Sequence, residues 1–510
     1  MLTPLDYSVI AIYIIGVIAF GIWSGGRQGD SKDYFLGNKD LPWWAICFSI
    51  VATETSTLTV IGIPAVSYGG ALTFIQITFG YLLGRVIVSY LLLPRYFEGE
   101  FQTAYAFLGD RFGKATQKTA SVTFLITRLL ADGVRLFATA IPIKLIADAA
   151  GFSLSYMTII GLIGVLTILY TMIGGIKAVV WMDVVQMTVY VGGAIFAIFV
   201  LLGDSPAGWW AEAQAAGKTK VIDFELGRPL SYLLTHPYAF LTALFGGAVF
   251  TMASHGSDQL IVQRLLACRD LQDSKRALIG SGVLVMVQFV IFLFVGLLLW
   301  IHFGGATPQE LGLSRADEIF PRFIIEGLPG GLSGFILAGI IAAAMSTLSS
   351  SLNALSSSSV MDLYADLRKG EMDSATSLKV ARVFTLIWGI VFILFAGLFE
   401  DQTNPVVELG LAIATFTYGG MLGLFLLGLF VKRAQQKEAI TGFVLAVIAM
   451  VLIIKGLRFS ETNGWLFILN SGDNPQGTVD GLLSVAWPLY TLMGAAITVG
   501  IGGLLSLRKS

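Results

Sequence analysis

Apolar runs long enough to cross a membrane recur along almost the whole chain, separated by short polar stretches. A crossing helix needs roughly 20 mostly apolar residues. By that measure thirteen helices are expected, at 6–24, 41–68, 70–93, 118–148, 153–173, 178–202, 237–263, 277–303, 330–358, 378–399, 405–431, 438–456 and 484–507. The connections at 69, 149–152, 174–177 and 400–404 leave room only for hairpins. The stretch 203–236 is long and polar and predicts short surface helices.

Polar residues interrupt some of these runs where hydrocarbon makes them costly. The 41–68 span reads ICFSIVATETSTLTVIGIPAVSYGG, with Glu54 inside a Thr/Ser run and Gly62 and Pro64 beyond it. Proline removes a backbone donor and frees carbonyls upstream, so the span is expected either to break here, facing protein or water, or to kink with its hydroxyls bonded back to the helix. Residues 345–359, MSTLSSSLNALSSSS, carry nine hydroxyls in fifteen positions. Ser346, Ser349, Ser350 and Asn353 stand at i, i+3, i+4 and i+7 and share one helix face. Such a face suits either a hard monovalent cation, which takes oxygen ligands, or close packing of small residues against another helix.

Asp183, in MDVVQM, needs a partner, either a bound cation or an interfacial Lys or Arg. In RLLADGVRLFATAIPIKLI, Asp132 can pair with Arg128 or Arg135, leaving one arginine over. With Glu54 and Arg85 these residues outline either a polar cavity or an internal ion-pair network. His255, in FTMASHGSDQ, reads more readily as a satisfied buried histidine than as a ligand contact, and Phe74, Gln76 and Thr78 suit simple helix packing.

Composition agrees with a polytopic membrane protein. The 510 residues are 55% hydrophobic and 13% charged, with a mean hydropathy of +0.79. The formal net charge of −1 and the lack of a basic block argue against a nucleic-acid partner. Two distant cysteines and three scattered histidines offer no disulfide or metal set. The first apolar run lacks a basic leader and a cleavage pattern and reads as a retained span. Lys and Arg number 21 in one set of alternate loops, Arg264, Arg368, Lys369, Arg508 and Lys509 among them, and 7 in the other. The richer set is expected on the cytoplasmic side, with the N-terminus outside and the C-terminus inside.

At these residues the chain resembles the sodium/solute symporter family, which includes sodium/glucose, sodium/proline and sodium/sialic acid cotransporters. YTMIGGIKAVVWMDVVQ (170–186) follows the family pattern Y-T-x-x-G-G-x-x-A-V-x-x-T-D-x-x-Q, with Met182 in place of Thr. AAAMSTLSSSLNALSS (342–357) resembles a second diagnostic helix, and SDQLIVQR (257–264) and DYFLGNKDLPWW (33–44) resemble further family stretches.

The resemblance implies an all-α, LeuT-like fold in a single transport domain spanning 1–510. Two inverted five-helix repeats occupy 41–202 and 237–431, with an extra helix at 6–24 and two at 438–507. The spans 41–68 and 237–263 are expected to be broken near the midplane. It implies a sodium site formed by the carbonyls of Ala52, Thr55 and Ala343 and the hydroxyls of Ser346 and Thr347. A second sodium is implied at Asp183, Ser346, Ser349 and Ser350, so one or two Na+ ions act as coupling ions. Glu54, Ser56, Thr59, Phe74, Thr78, Arg135 and His255 fall at or near the substrate positions.

Glu54 departs from the sialic acid branch, because a carboxylate there repels an acidic substrate unless Arg135 or Arg85 neutralises it. A Glu54–Arg135 pair favours a neutral sugar, polyol or zwitterion; an organic acid such as sialic acid, or an amino acid, is the alternative. The expected activity is therefore sodium-coupled solute import across the plasma membrane, in a bacterium the inner membrane. A sodium channel, an intramembrane enzyme and a transporter-like sensor are the rival classes. They would need, respectively, a repeated filter loop, a nucleophile or metal set at one depth, and a signalling domain.

Overall fold

The computed structural model describes residues 2–149, 151–225, 227–367, 372–398, 405–460, 463–468 and 482–507. Arg368, Lys369, Arg508 and Lys509, which entered the loop-charge argument, and the 400–404 connection lie outside the described residues. The chain is mainly helical, as its apolar runs require: backbone groups inside a bilayer can be satisfied only within the segment itself or in a closed barrel.

In chain order the main helices are α1 Pro4–Gly25, α2 Trp43–Glu54, α3 Thr57–Gly69, α4 Gln76–Leu91, α5 Lys114–Ala149 and α6 Tyr156–Asp204. They continue with α7 Gly247–Gly256, α8 Gln259–Leu266, α9 Leu271–His302, α10 Leu332–Ser358 and α11 Ser374–Ala396. Last come α12 Pro405–Phe430, α13 Gln436–Gly456 and α14 Pro488–Leu507. The 203–236 stretch holds two short helices, Trp209–Ala215 and Leu230–Thr235, as its polarity predicted.

Among the described residues eight helices are long and apolar enough to cross a bilayer singly, or nine if the bent pair α2/α3 counts as one. Thirteen spans were expected; within the described residues two of them run together and one is divided. α6 joins two expected spans across Gly175, whose φ of 58° interrupts the helix. The 237–263 region is divided into α7 and α8, each too short to cross alone. Gly25 and Gly174 let α1 and α6 approach closely at this turn; a Cβ on Gly25 would lie 2.3 Å from the Gly174 Cα.

The break in the first polar span is not at Pro64. α2 ends at Glu54, Thr55 and Ser56 are extended, and α3 runs unbroken through Pro64 to Gly69. The two halves are bent by 70°. Hydroxyl side chains compete for backbone groups, and here they do so in the run Thr53–Thr57. Ser56 caps α3 in the extended conformation usual for an N-cap, and Thr57 Oγ1 donates to the Ile340 carbonyl of α10 at 3.0 Å. The second break separates α7 from α8 at Ser257–Asp258, and Asp258 caps α8 by accepting from the Leu260 N–H at 2.9 Å. Both broken spans thus present helix ends to the middle of the molecule, with α10 beside the first break.

Candidate functional site

Ending α2 at Glu54 leaves the carbonyls of its last turn without the amides that would continue the helix. Thr347 of α10 faces this end. Its Oγ1 donates to the Ala343 carbonyl at 3.1 Å and to the Thr55 carbonyl at 3.5 Å. Three of the five residues expected around the first sodium are therefore in contact: Thr55, Ala343 and Thr347. The Thr55 hydroxyl is committed elsewhere, donating to the Val51 carbonyl at 2.8 Å. It also accepts from Gln288 Nε2 of α9 at 2.8 Å, and Gln288 Oε1 in turn accepts from the Tyr190 hydroxyl of α6 at 3.4 Å. Gln288, a lone amide in VMVQFVIF, escaped the sequence reading; a polar residue within a span was the available signal.

Ser346 lies on the neighbouring face and donates to Asp183 Oδ1 at 2.6 Å. Asp183 is fully buried, and its other oxygen accepts from Ser49 at 2.5 Å and from Arg264 Nη2 at 3.3 Å. Arg264 also donates to Ser49 at 2.8 Å, to Ser350 at 2.5 Å and to the Leu260 carbonyl at 2.8 Å. Ser349 turns to the Ser346 carbonyl at 3.0 Å. Asp183, Ser346, Ser349 and Ser350 are thus brought together as expected, but with a guanidinium among them. Arg264 was counted as a loop charge; the fold buries it instead, because α8 folds inward beneath the second break.

Glu54 does not pair with Arg135. Its Oε1 accepts from Arg85 Nη2 of α4 and lies 3.0 Å from His255 Nε2 of α7. Arg85 Nη2 is also 3.0 Å from that nitrogen. Glu54 and His255 stand at the two helix breaks, and buried Arg85 joins them. The buried-histidine reading holds, with Ser254 on the other ring nitrogen at 2.8 Å.

Arg135 is held instead by Asp132 at 3.2 Å, and its side chain remains 29% exposed. Asp132 also accepts from Arg128 at 3.4 Å and from Ser351 of α10 at 2.6 Å. Neither arginine is left over, because Arg128 reaches Asp258 at 2.5 Å and the Tyr418 hydroxyl at 2.7 Å. Asp132, Arg135, Leu136 and Thr139 of α5 line a small cavity with Ala344, Thr347 and Leu348 of α10. Arg135 therefore shares a cavity with the hydroxyl that faces the helix break.

The other substrate candidates are occupied locally. The Thr59 hydroxyl accepts from the Ser56 N–H at 3.3 Å. Buried Thr78 donates to the Ile75 carbonyl at 2.6 Å, and Phe74 packs tilted against Tyr238 and edge-to-face against Phe289. A cleft of about 570 Å³ runs over α3 and the later half of α5, from Leu58, Ile61 and Gly62 to Phe137, Ile141 and Tyr156. Lys144, Asp148, Arg315, Asp317 and Glu318 also line it. It begins within one helical turn of the first break. Among the described residues no group of histidine, cysteine and carboxylate side chains is arranged to hold a metal by such ligands.

The model of the sodium:solute symporter family matches residues 34–446. The chain is 29% identical to the sodium/sialic acid symporter SiaT of Proteus mirabilis, over 88% of this chain and 89% of that one. It is 26% identical to the sodium-coupled monocarboxylate transporter 2 of Bos taurus, over 87% of this chain and 71% of that one. Among solved structures, the substrate-bound, outward-open state of a Na+-coupled sialic acid symporter superposes with a TM-score of 0.81 at 26% identity. That match covers 99% of this chain and 98% of the other. The LeuT-like fold expected from the sequence is therefore the fold of the chain.

Proposed function

The chain belongs to the sodium:solute symporter family, and we propose that within it the protein imports a small organic acid together with sodium by alternating access. The observation that carries the choice of substrate is Arg135, a guanidinium with one amino group engaged and a partly open side chain beside the helix break. Its free N–H groups suit a carboxylate, which guanidinium binds in a fork. The relatives named for sialic acid and monocarboxylates carry acids, which favours this reading over the neutral sugar or polyol that a Glu54–Arg135 pair suggested. With Arg85 neutralising Glu54, the objection to an acid falls away.

The coupling sodium takes the carbonyls of Ala52, Thr55 and Ala343 and the hydroxyls of Ser346 and Thr347. The contacts of Thr347 with two of those carbonyls support it. A second sodium near Asp183, Ser346, Ser349 and Ser350 has to share the carboxylate with Arg264. Sodium and substrate raise each other's affinity, since linkage is reciprocal. A bundle of helices then rocks against the remaining scaffold, the inside opens, and the gradient plus roughly 2.3 kcal/mol per charge per 100 mV drives entry. The N-terminus is outside and the C-terminus cytoplasmic in this scheme, in the plasma membrane of a bacterial cell.

Thermal stability of the purified protein tests this, with N-acetylneuraminate, pyruvate, glucose, myo-inositol and proline in sodium and in potassium. Stabilisation by an acid in sodium alone is the expected result. A response to a neutral sugar with none to the acids would overturn the substrate class.

A further inference from the structure

Among the described residues three groups of opposite charges are buried, and each is balanced: Glu54 with Arg85, Asp183 with Arg264, and Asp132 and Asp258 with Arg128 and Arg135. The third differs from the others in two ways. Its Arg135 opens into a cavity, and that cavity is also lined by Thr347. Asp132, at its centre, accepts from both arginines of α5 and also from Ser351, one turn beyond Thr347 on α10. One carboxylate therefore links the side chain that suits an acid to the helix that carries the sodium ligands.

The charge balance gives this link a consequence. Two carboxylates already neutralise the two guanidinium groups, so an anion arriving at Arg135 makes the region net negative. A negative charge in a poorly solvated interior is unfavourable unless a positive one accompanies it. Sodium beside Thr347, in the same cavity, supplies that charge. Arg135 keeps one amino group on Asp132 and offers its remaining N–H groups to the substrate, while Arg128 and Ser351 also hold Asp132.

We propose that Asp132 is the positioning residue that makes acid binding depend on sodium, by holding Arg135 and balancing its charge so that an arriving carboxylate needs a cation beside it. The proposal rests on Arg135 as the acid-binding group and on the sodium site at Thr347. Glu54 is too well matched by Arg85 and His255 to serve this purpose, and the Asp183 group has its charge satisfied by a fully buried Arg264.

The test is the ratio of acid affinities in sodium and in potassium, measured on the full-length protein with N-acetylneuraminate and with pyruvate as probes. The wild type is expected to bind one of them at least tenfold more tightly in sodium. Asp132→Asn leaves the cluster with a surplus positive charge, so affinity in potassium rises to within about threefold of that in sodium. A merely structural role weakens binding in both salts and leaves the ratio alone, and an unchanged ratio in Asp132→Asn overturns the proposal. Ser351→Ala, which keeps every charge, is the second variant. It is expected to lower the ratio at least threefold, and an unchanged ratio there removes α10 from the link. If the wild type binds neither acid in sodium, the acid reading of the site fails, and this inference with it.

Discussion

Removing Arg264 is the sharpest perturbation of the interior. Its guanidinium is 1% exposed and lies against a carboxylate that is fully buried. Arg264→Gln leaves Asp183 with only the hydroxyls of Ser49 and Ser346 to hold its charge. Breaking one side of a buried ion pair costs about 3–5 kcal/mol, which is more than a hundredfold in the folded-to-unfolded ratio. Ser49 and Ser350 also lose their donor, which places the cost toward the upper end of that range. Adding Asp183→Asn removes the unpaired charge and should return most of the loss, since a neutral pair of similar volume is often as stable as a buried ion pair. The assay is unfolding of the purified single and double variants in potassium and in sodium. If sodium can sit beside Asp183, Arg264→Gln is partly rescued by sodium and not by potassium. An Arg264→Gln protein as stable as wild type in potassium, or a double variant no better than the single, would refute the reasoning.

Thr347→Ala removes the hydroxyl that reaches both carbonyls at the break; the sodium concentration for half-maximal uptake should rise at least tenfold, and an unchanged value would remove Thr347 from the ion site. Gln288→Leu releases the Thr55 hydroxyl; a several-fold weaker sodium response is expected, with acid affinity at saturating sodium little altered, as measured by equilibrium binding. Arg135→Lys keeps the charge but loses the fork, so acid affinity should fall about tenfold or more, checked by titration with whichever acid stabilises the wild type. Gly296→Ala places a Cβ 2.0 Å from the Pro64 carbonyl; the clash between α3 and α9 should lower thermal stability in both salts alike.

Helix positions were legible because bilayer thickness fixes run length, and the polar face of α10 was legible because hydroxyls at i, i+3 and i+4 stand out in an apolar run. The place of the first break was misjudged. Proline is the usual helix breaker, yet Pro64 stays within α3, and the break falls where Thr53–Thr57 capture backbone groups for capping and for α10. Partners distant in sequence were not legible. Glu54 meets His255 201 residues away, and Arg264 meets Asp183 across 81; nothing in the local pattern of either stretch names the other. Arg264 looked like a surface charge because it ends an apolar run, and only the inward course of α8 makes it internal.

The proposed ligands share one arrangement. Thr347 donates its hydroxyl proton to the Ala343 and Thr55 carbonyls, the groups assigned to the ion. Arg135 donates to Asp132, a carboxylate like the one assigned to the substrate. In each case a protein group satisfies the atom that the cargo needs. Such substitution keeps buried polar groups from being left unpaired, which costs about 1–3 kcal/mol each, and it also limits how tightly the cargo is held. For a transporter that limit is useful, because an ion or acid that must leave on the other side is released into contacts already available. Binding then exchanges one set of hydrogen bonds for another of similar strength, and the sodium gradient has only a small difference to overcome in each cycle.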